Sequence, residues 1–70
     1  MIRQPVSSSN LRSVGYDPAT RTLEIEFNSG AVYRYDEVPP AVHAGLMGAS
    51  SHGSYFNQHI KGRYGDRKVG

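Results

Sequence analysis

The segment "TLEIEFNSGAVYRY", Thr22 to Tyr35, constrains the fold of this chain most. Apolar and acidic residues alternate along "TLEIEF" with a period of two, which is typical of a β-strand with one buried face. The loop "NSG" places Gly30 at the third position of a three-residue hairpin loop, where the backbone adopts a positive φ. The segment therefore predicts two antiparallel strands joined through residues 28–30.

The length of this loop sets the register of the two strands. A three-residue loop pairs Ile25 with Tyr33 and Leu23 with Tyr35, so that one face of the hairpin is apolar. A two-residue loop would instead pair Ile25 with Arg34. Pattern and turn chemistry favour the first register, in which both tyrosines of "YRY" face the core.

The arginine of "YRY" is then expected on the other face of the sheet. Arg34 falls opposite Glu24, and we expect an exposed ion pair there, worth under about 1 kcal/mol. Because alternate residues of a strand point to opposite faces, Tyr33, Arg34 and Tyr35 cannot all contact a single base.

The rest of the chain predicts one further strand and two helices. In "LRSVGY", Leu11 is out of phase with Val14 and Tyr16, which a β-bulge near residues 12 and 13 would reconcile. Pro39 and Pro40 are suited to open a helix because their missing N–H groups would be unpaired in its first turn. We predict strands near 11–16, 22–27 and 31–36 and helices near 40–48 and 52–62.

These elements indicate an α+β fold, namely a three-stranded antiparallel β-meander followed by two short helices packed on one face. The core is expected on the face that carries Leu23, Ile25 and Phe27. We expect a flexible N-terminal leader at 1–10, a single domain at 11–64 and a basic C-terminal tail at 65–70.

Composition limits the function classes. The chain has 70 residues and no cysteine, so it forms one domain whose stability comes from packing rather than from disulfides or thiolate metal sites. Its start, "MIRQPVSSSN", has no apolar h-region, and no window approaches the ~18 apolar residues of a membrane span. We expect a cytoplasmic protein that makes no contact with a membrane.

The net charge of +2 is concentrated at the C-terminus. Residues 1–60 carry four arginines against five acidic residues, a balance of −1. The last ten residues have a balance of +3 because one acidic residue, Asp66, faces four basic ones: Lys61, Arg63, Arg67 and Lys68. This segment is either an electrostatic arm for phosphates or an acidic partner, or a solvated, frayed terminus.

The chain shows no signature of catalysis. No cysteine accompanies His43, His52 and His59, and no phosphate-binding loop occurs. His52 and His59 are seven residues apart, which is roughly 10 Å along a helix and too far to share a metal ion. We therefore expect no enzyme activity, no metal and no cofactor.

The start of the second predicted helix has two interpretations. Ser51 and Gly53 precede free helical N–H groups that could accept an anion, but Ser51 could equally be the helix cap. Further along this helix, Asn57 and Gln58 could hydrogen-bond a base edge or could simply form its polar surface.

From about Ser8 to Arg67 the chain resembles the KTSC domain, a module named after its occurrence at the C-terminus of some lysyl-tRNA synthetases and also found as free-standing small proteins. The order and spacing of several short motifs carry this resemblance, rather than any one of them. They are "VGYD", "TLEIEF", "YRY", the following "VP", a small-residue run with Ser50 and Gly53, "YFN", and "I…RY" ending at Tyr64. The synthetase fusion implies RNA binding.

Two functions stay open at this point. The first is binding of nucleic acid, in particular RNA, with phosphates on the basic segment and bases stacked on tyrosines. Two glutamates on the outer sheet face argue against this function. The second is a protein-interaction module that docks a larger protein through an aromatic patch or a free strand edge. The candidate nucleic-acid-binding residues are Lys61, Arg63, Arg67, Lys68, Tyr64, Tyr55, Arg34, Tyr33 and Tyr35.

Overall fold

The computed structural model describes residues 1–70 as an antiparallel β-sheet with two helices inserted between its last two strands. The sheet has the order β1-β2-β3-β4-β5, so each strand pairs with its neighbour in sequence. The elements are β1 Arg3–Pro5, β2 Leu11–Asp17, β3 Thr22–Phe27, β4 Val32–Tyr35, α1 Pro40–Gly48, α2 His52–His59 and β5 Asp66–Lys68.

The central hairpin has the predicted register. Ile25 pairs with Tyr33 and Leu23 with Tyr35 across β3 and β4. The loop closes through the Phe27 N–H, which donates to the Ala31 carbonyl at 2.9 Å. Gly30 has a φ of 97°, so the glycine occupies the left-handed position that the loop requires.

The bulge in β2 is also confirmed. The pairing of β2 with β3 shifts between Leu11 and Ser13, and this shift brings Val14 opposite Ile25 and Tyr16 opposite Leu23. Leu11 and Val14 therefore both face the core, where they are 0% and 2% exposed.

The sheet has five strands, and the prediction of three was wrong. Residues 3–5, in the predicted leader, pair with β2, and residues 66–68, in the predicted tail, pair with β4. Each of these strands has three residues and no apolar alternation, and it forms by hydrogen bonding to the otherwise unpaired edge of its neighbour. The division into a leader at 1–10, a domain at 11–64 and a tail at 65–70 stays a prediction. In the structure, both the leader and the tail contribute a strand to the sheet.

The helices begin where the sequence predicts. α1 has Pro40 at its first position, and Ser51 caps α2 because its Oγ accepts a hydrogen bond from the Ser54 N–H at 3.3 Å. α2 ends at His59, three residues before the predicted end. The chain turns directly afterwards, and Gly62 in this turn has a φ of 75°, which is incompatible with a continuing helix.

The core lies between the sheet and the helices. Both helices contribute to it, with Leu46 from α1 and Phe56 from α2. The nine buried apolar residues are Leu11, Val14, Leu23, Ile25, Tyr35, Val38, Leu46, Phe56 and Ile60. Neither helix has the length and apolar content needed to cross a membrane.

On the outer face of the sheet, Glu24 is more buried than the sequence predicts. Its Oε1 accepts from the Arg34 Nε at 2.8 Å, which confirms the predicted pair, but Glu24 is only 8% exposed. The cover comes from β1, because Arg3 lies 3.5 Å from the second oxygen of Glu24. The pair was predicted to be exposed because β1 was not predicted.

Candidate functional site

A cleft of about 350 Å³ opens between the sheet and α2. Four aromatic side chains form its wall and four polar side chains its rim. We call it the aromatic cleft, and its lining residues are Asn10, Phe27, Tyr33, Tyr35, Phe56, Asn57, Lys61 and Asp66.

The aromatic wall is a chain of edge-to-face contacts. Ring centroids lie 5.9 Å apart for Phe27 and Tyr33, 5.4 Å for Phe27 and Phe56, and 5.6 Å for Tyr35 and Phe56. Edge-to-face pairs add stability to that gained from burying the rings, and they favour a fixed arrangement of the rings. Tyr35 and Phe56 are 3% and 4% exposed, whereas Phe27 and Tyr33 are half-buried. The aromatic surface open to a ligand therefore belongs to Phe27 and Tyr33.

The polar rim is assembled from three separate parts of the chain. Asn10 precedes β2 and is held through its carbonyl, which accepts from the Asn28 N–H at 2.9 Å. Asn57 follows Phe56 on α2, Lys61 lies just after this helix, and Asp66 lies opposite Tyr35 on β5.

The side chains of the rim are all exposed, and none forms a hydrogen bond or an ion pair within the chain. Two amides, an ammonium and a carboxylate are consequently free to bind a ligand.

Tyr35 keeps its proton under ordinary conditions. Burial, followed by the nearby charges of Asp66 and Tyr33, raises the pKa of Tyr35 to about 12. Because the phenol stays neutral, Tyr35 adds no negative charge to the cleft, and Asp66 is the one carboxylate that lines it.

The four basic residues of the C-terminal segment do not form one surface. Lys61 lines the cleft, and Lys68 lies opposite Tyr33 and so on the same side of the sheet. Arg67 lies on the other side, opposite Arg34, and donates to both carboxylate oxygens of Asp36 at 2.7 and 2.8 Å.

The remaining candidates lie away from the cleft. Arg63 donates from its Nε to the Gln58 carbonyl at 2.9 Å. The ring of Tyr55 packs at a tilt of 38° against His59, with the ring centroids 4.4 Å apart, and Tyr64 is half-buried against the core. The Oγ of Ser51 is used as the helix cap, and the neighbouring Gly53 faces Ser8 and Asn10.

Some residues of the cleft were missed or given another role by the sequence analysis. Phe27 was assigned to the core, Asn10 to the leader and Asp66 to the tail, and Phe56 entered only as part of the motif "YFN". Asn57 was considered as a ligand for a base edge, and it does line the cleft. The signal that could have added Asp66 is its place in register opposite Tyr35, but this register exists only once β5 is recognised.

A second cleft, of about 480 Å³, lies between β1 and α1. Its wall includes the stacked rings of Tyr16 and His43, whose centroids are 4.5 Å apart. Burial lowers the pKa of His43, and the Tyr16 hydroxyl donates to the Val38 carbonyl. The one charged residue that lines this cleft, Arg3, is paired with Glu24, so the cleft has no free charge to bind a ligand. Across the whole chain, no three His, Cys, Asp or Glu side chains cluster as metal ligands would.

Comparison with known proteins assigns the chain to a family. The model of the KTSC domain matches residues 7–64. A crystal structure of a KTSC domain protein from Yersinia pestis is 48% identical and superposes with a TM-score of 0.96, covering 99% of this chain and 97% of that protein.

Relatives also occur in two protein contexts. An uncharacterised protein of Stutzerimonas stutzeri is 54% identical over 61 residues, which are 87% of this chain and 86% of that protein. A lysine–tRNA ligase of Nostoc punctiforme is 46% identical over 56 residues, which are 80% of this chain but only 10% of the ligase. The family match, the shared fold and these relatives together show that the chain belongs to the KTSC domain family.

Proposed function

We propose that this domain is a non-catalytic module that binds single-stranded RNA and takes one unpaired base into the aromatic cleft. The observation that carries the proposal is the half-buried surface of Phe27 and Tyr33 beside four exposed polar side chains without partners in the chain. Unpaired bases are recognised in this way, with a ring stacked on an aromatic side chain and polar groups on the base edges.

Stacking supplies the sequence-tolerant part of the affinity. A base stacked on an aromatic side chain contributes roughly 1–3 kcal/mol, as judged by alanine substitution. Tyr33 takes this role because its ring is partly accessible and is held edge to face by Phe27, whereas Tyr35 is only 3% exposed and packs on Phe56. Of the "YRY" motif, Tyr33 therefore contacts the base, Tyr35 belongs to the buried core, and Arg34 lies on the outer face of the sheet.

The unpaired positive charges near the sheet also lie on the side of the aromatic cleft. Lys61 and Lys68 lie on the cleft side of the sheet and form no ion pair in the chain, so they are free to contact phosphates. Arg34 and Arg67 lie on the outer face, where each is already paired with a carboxylate. The proposal thus uses the two lysines of the C-terminal segment and leaves out its arginines.

The relatives are consistent with RNA as the ligand. Lysine–tRNA ligases from three organisms contain a segment 43–46% identical to this chain, and their name states that they act on a tRNA. A domain that holds an unpaired nucleotide is compatible with this setting.

The alternative function, binding of a protein through a free edge of the sheet, has weaker support than RNA binding. A peptide could add as a strand beside β1 or β5, but both strands have only three residues, and Pro5 in β1 has no N–H to donate. We keep this function as the outcome if RNA binding fails.

A fluorescence anisotropy titration across salt concentrations tests the proposal, with labelled single-stranded RNA, tRNA and duplex DNA. We expect single-stranded RNA to bind more tightly than the duplex, and a Tyr33→Leu variant that remains folded to lose most of this affinity. The Lys61→Gln/Lys68→Gln variant should flatten the slope of log affinity on log salt by about 0.7 for each phosphate that the protein no longer neutralises.

The control is the Arg63→Gln/Arg67→Gln variant, which removes the same charge from side chains away from the cleft. It should keep nearly all of the affinity beyond a general electrostatic loss. Greater loss in the arginine variant than in the lysine variant would place the site elsewhere. If no RNA or DNA binds at low salt, the protein-interaction function replaces the proposal.

A further inference from the structure

Asp66 is unexpected at a site for nucleic acid. It is exposed, lines the aromatic cleft opposite Tyr35, and forms no ion pair with any basic residue of the chain. A carboxylate beside a phosphate backbone is repulsive, so its presence in the cleft costs affinity unless it accepts hydrogen bonds from the base itself.

We propose, on the basis of the function proposed above, that the aromatic cleft selects guanine and that Asp66 is the residue that recognises it. An ionised carboxylate only accepts hydrogen bonds, and its two oxygens can accept two parallel N–H groups at once. Guanine is the one standard RNA base that presents two adjacent donors, the N1–H and the 2-amino group, on its Watson–Crick edge.

Lys61 completes this pattern. Its ammonium only donates hydrogen bonds, and guanine has an acceptor, O6, directly beside its two donors. Lys61 and Asp66 line the same cleft without pairing with each other, so both groups are available to one ligand edge. The cleft thereby offers an acceptor and a donor that match the two halves of the guanine edge.

The other three bases fit this pair less well. Uracil has a single N–H, which lies between two carbonyl oxygens. One oxygen of Asp66 could accept from this N–H, but the other would be repelled by a carbonyl oxygen of the base. Adenine and cytosine each offer one amino group beside a ring nitrogen that is an acceptor, so they satisfy only one oxygen of Asp66. The amides of Asn10 and Asn57 can each donate and accept, so they can pair with a guanine edge as well as with the other bases, and the preference for guanine is assigned to Asp66.

Aromatic rings beside a carboxylate can also form a cage for a methylated ammonium group. Two features of the cleft oppose this ligand. Its rings pack edge to face on one another and do not stand apart as the walls of a box, and the positive charge of Lys61 lies on its rim. A trimethyllysine peptide is therefore included as a competing ligand in the test.

The experiment is a set of anisotropy titrations with short single-stranded RNAs that differ at one central position, occupied by guanosine, inosine, adenosine, cytidine or uridine. The wild-type protein should bind the guanosine RNA about 10-fold more tightly than the adenosine RNA, within the range for one bidentate contact. Inosine lacks only the 2-amino group, so it should lose a large part of this preference.

The variants separate base recognition from binding as such. Asp66→Asn should retain binding but bring the guanosine and adenosine RNAs close to equal affinity. Glu37→Gln removes the same charge from an exposed residue outside the cleft and should leave the guanosine preference unchanged.

Each contrary result has a distinct meaning. Equal affinity of the wild type for all five RNAs, or a guanosine preference that survives in Asp66→Asn, overturns the guanine assignment while RNA binding stands. Failure of every RNA to bind overturns both proposals. Tighter binding of the trimethyllysine peptide than of any RNA also overturns both and assigns the cleft to a protein ligand.

Discussion

Glu24 shows at the scale of one residue how a short edge strand changes the energetics of the sheet. The residue lies on the face without helices, where a carboxylate would ordinarily remain solvated. Here its side chain contacts Arg34 at 2.8 Å and Arg3 at 3.5 Å and is largely withdrawn from water. Removing the Glu24 carboxylate costs more than losing an exposed pair, because it deletes a hydrogen bond between charged groups and leaves Arg3 and Arg34, both partly shielded from water, without their partner.

We therefore predict that Glu24→Ala lowers the free energy of unfolding by about 2 kcal/mol, the range for hydrogen bonds to charged groups. Glu37→Ala is the control because Glu37 is exposed and has no ion-pair partner, and it should change stability by less than about 0.5 kcal/mol. Urea unfolding of the two variants measures the difference. Equal values would show that the contacts of Glu24 contribute no net stability.

Tyr35 gives a second prediction at this scale, which concerns alkaline stability. Its pKa is raised from 10 to about 12, chiefly by burial. Below pH 10 the phenol is protonated in both states. Between pH 10 and about 12 the Tyr35 phenol is ionised in the unfolded chain but still protonated in the folded one. The free energy of unfolding therefore falls as the pH rises through this range.

Urea unfolding of the wild type at several pH values from 9 to 11.5 should show this loss, and Tyr35→Phe should lose less over the same range. The comparison of slopes, rather than of absolute stabilities, removes any constant cost of the substitution. Identical slopes in the two proteins would mean that Tyr35 ionises as it does in the unfolded chain.

At the scale of elements, α1 and α2 approach each other through a glycine. A Cβ at Gly45 would clash with the Tyr55 hydroxyl, whereas one at Gly48 would meet no atom within 4 Å. The two glycines lie in the same helix but face different surroundings. Gly45 therefore has a packing role, and Gly48 only weakens the helix.

Gly45→Ala should destabilise the domain by about 1 kcal/mol or more because the ring of Tyr55 must move off His59 to make room. Gly48→Ala should instead stabilise it, by up to about 0.5 kcal/mol, because Gly48 is the last residue of α1 and the full propensity difference applies only to a helix interior. Thermal melts of the two variants should shift in opposite directions. A stabilising Gly45→Ala would show that Tyr55 relaxes without cost.

Local pattern was enough to predict some elements and not others. The hairpin of β3 and β4 could be predicted because alternation and the Gly30 loop select one register. β1 and β5 could not, since "RQP" and "DRK" have no strand pattern and pair only because the neighbouring edges are available. The end of α2 was missed because the prediction continued the helix to residue 62, whereas the helix ends at His59 and Gly62 adopts a positive φ in the turn that follows.

For the molecule as a whole, the candidate site depends on tertiary structure. The aromatic cleft joins residues from the segment before β2, from β3, β4 and β5, and from the end of α2. Tyr33 and Lys61 could be nominated from the sequence by their residue types. Their proximity to Asp66 could not, because it follows from the pairing of β5, which carries no local signal, and Asn10 is placed at the cleft by the hydrogen bond from the Asn28 N–H to its carbonyl.

The central claim is that the aromatic cleft is the surface that binds RNA, and amide chemical-shift mapping tests it most directly. A ¹⁵N-labelled sample titrated with single-stranded RNA should show its largest shifts at Phe27, Tyr33, Asn57, Lys61 and Asp66, with small shifts on the outer face at Glu24 and Arg67. Largest shifts around Arg34 and Arg67, or none at saturating RNA in low salt, would contradict the account.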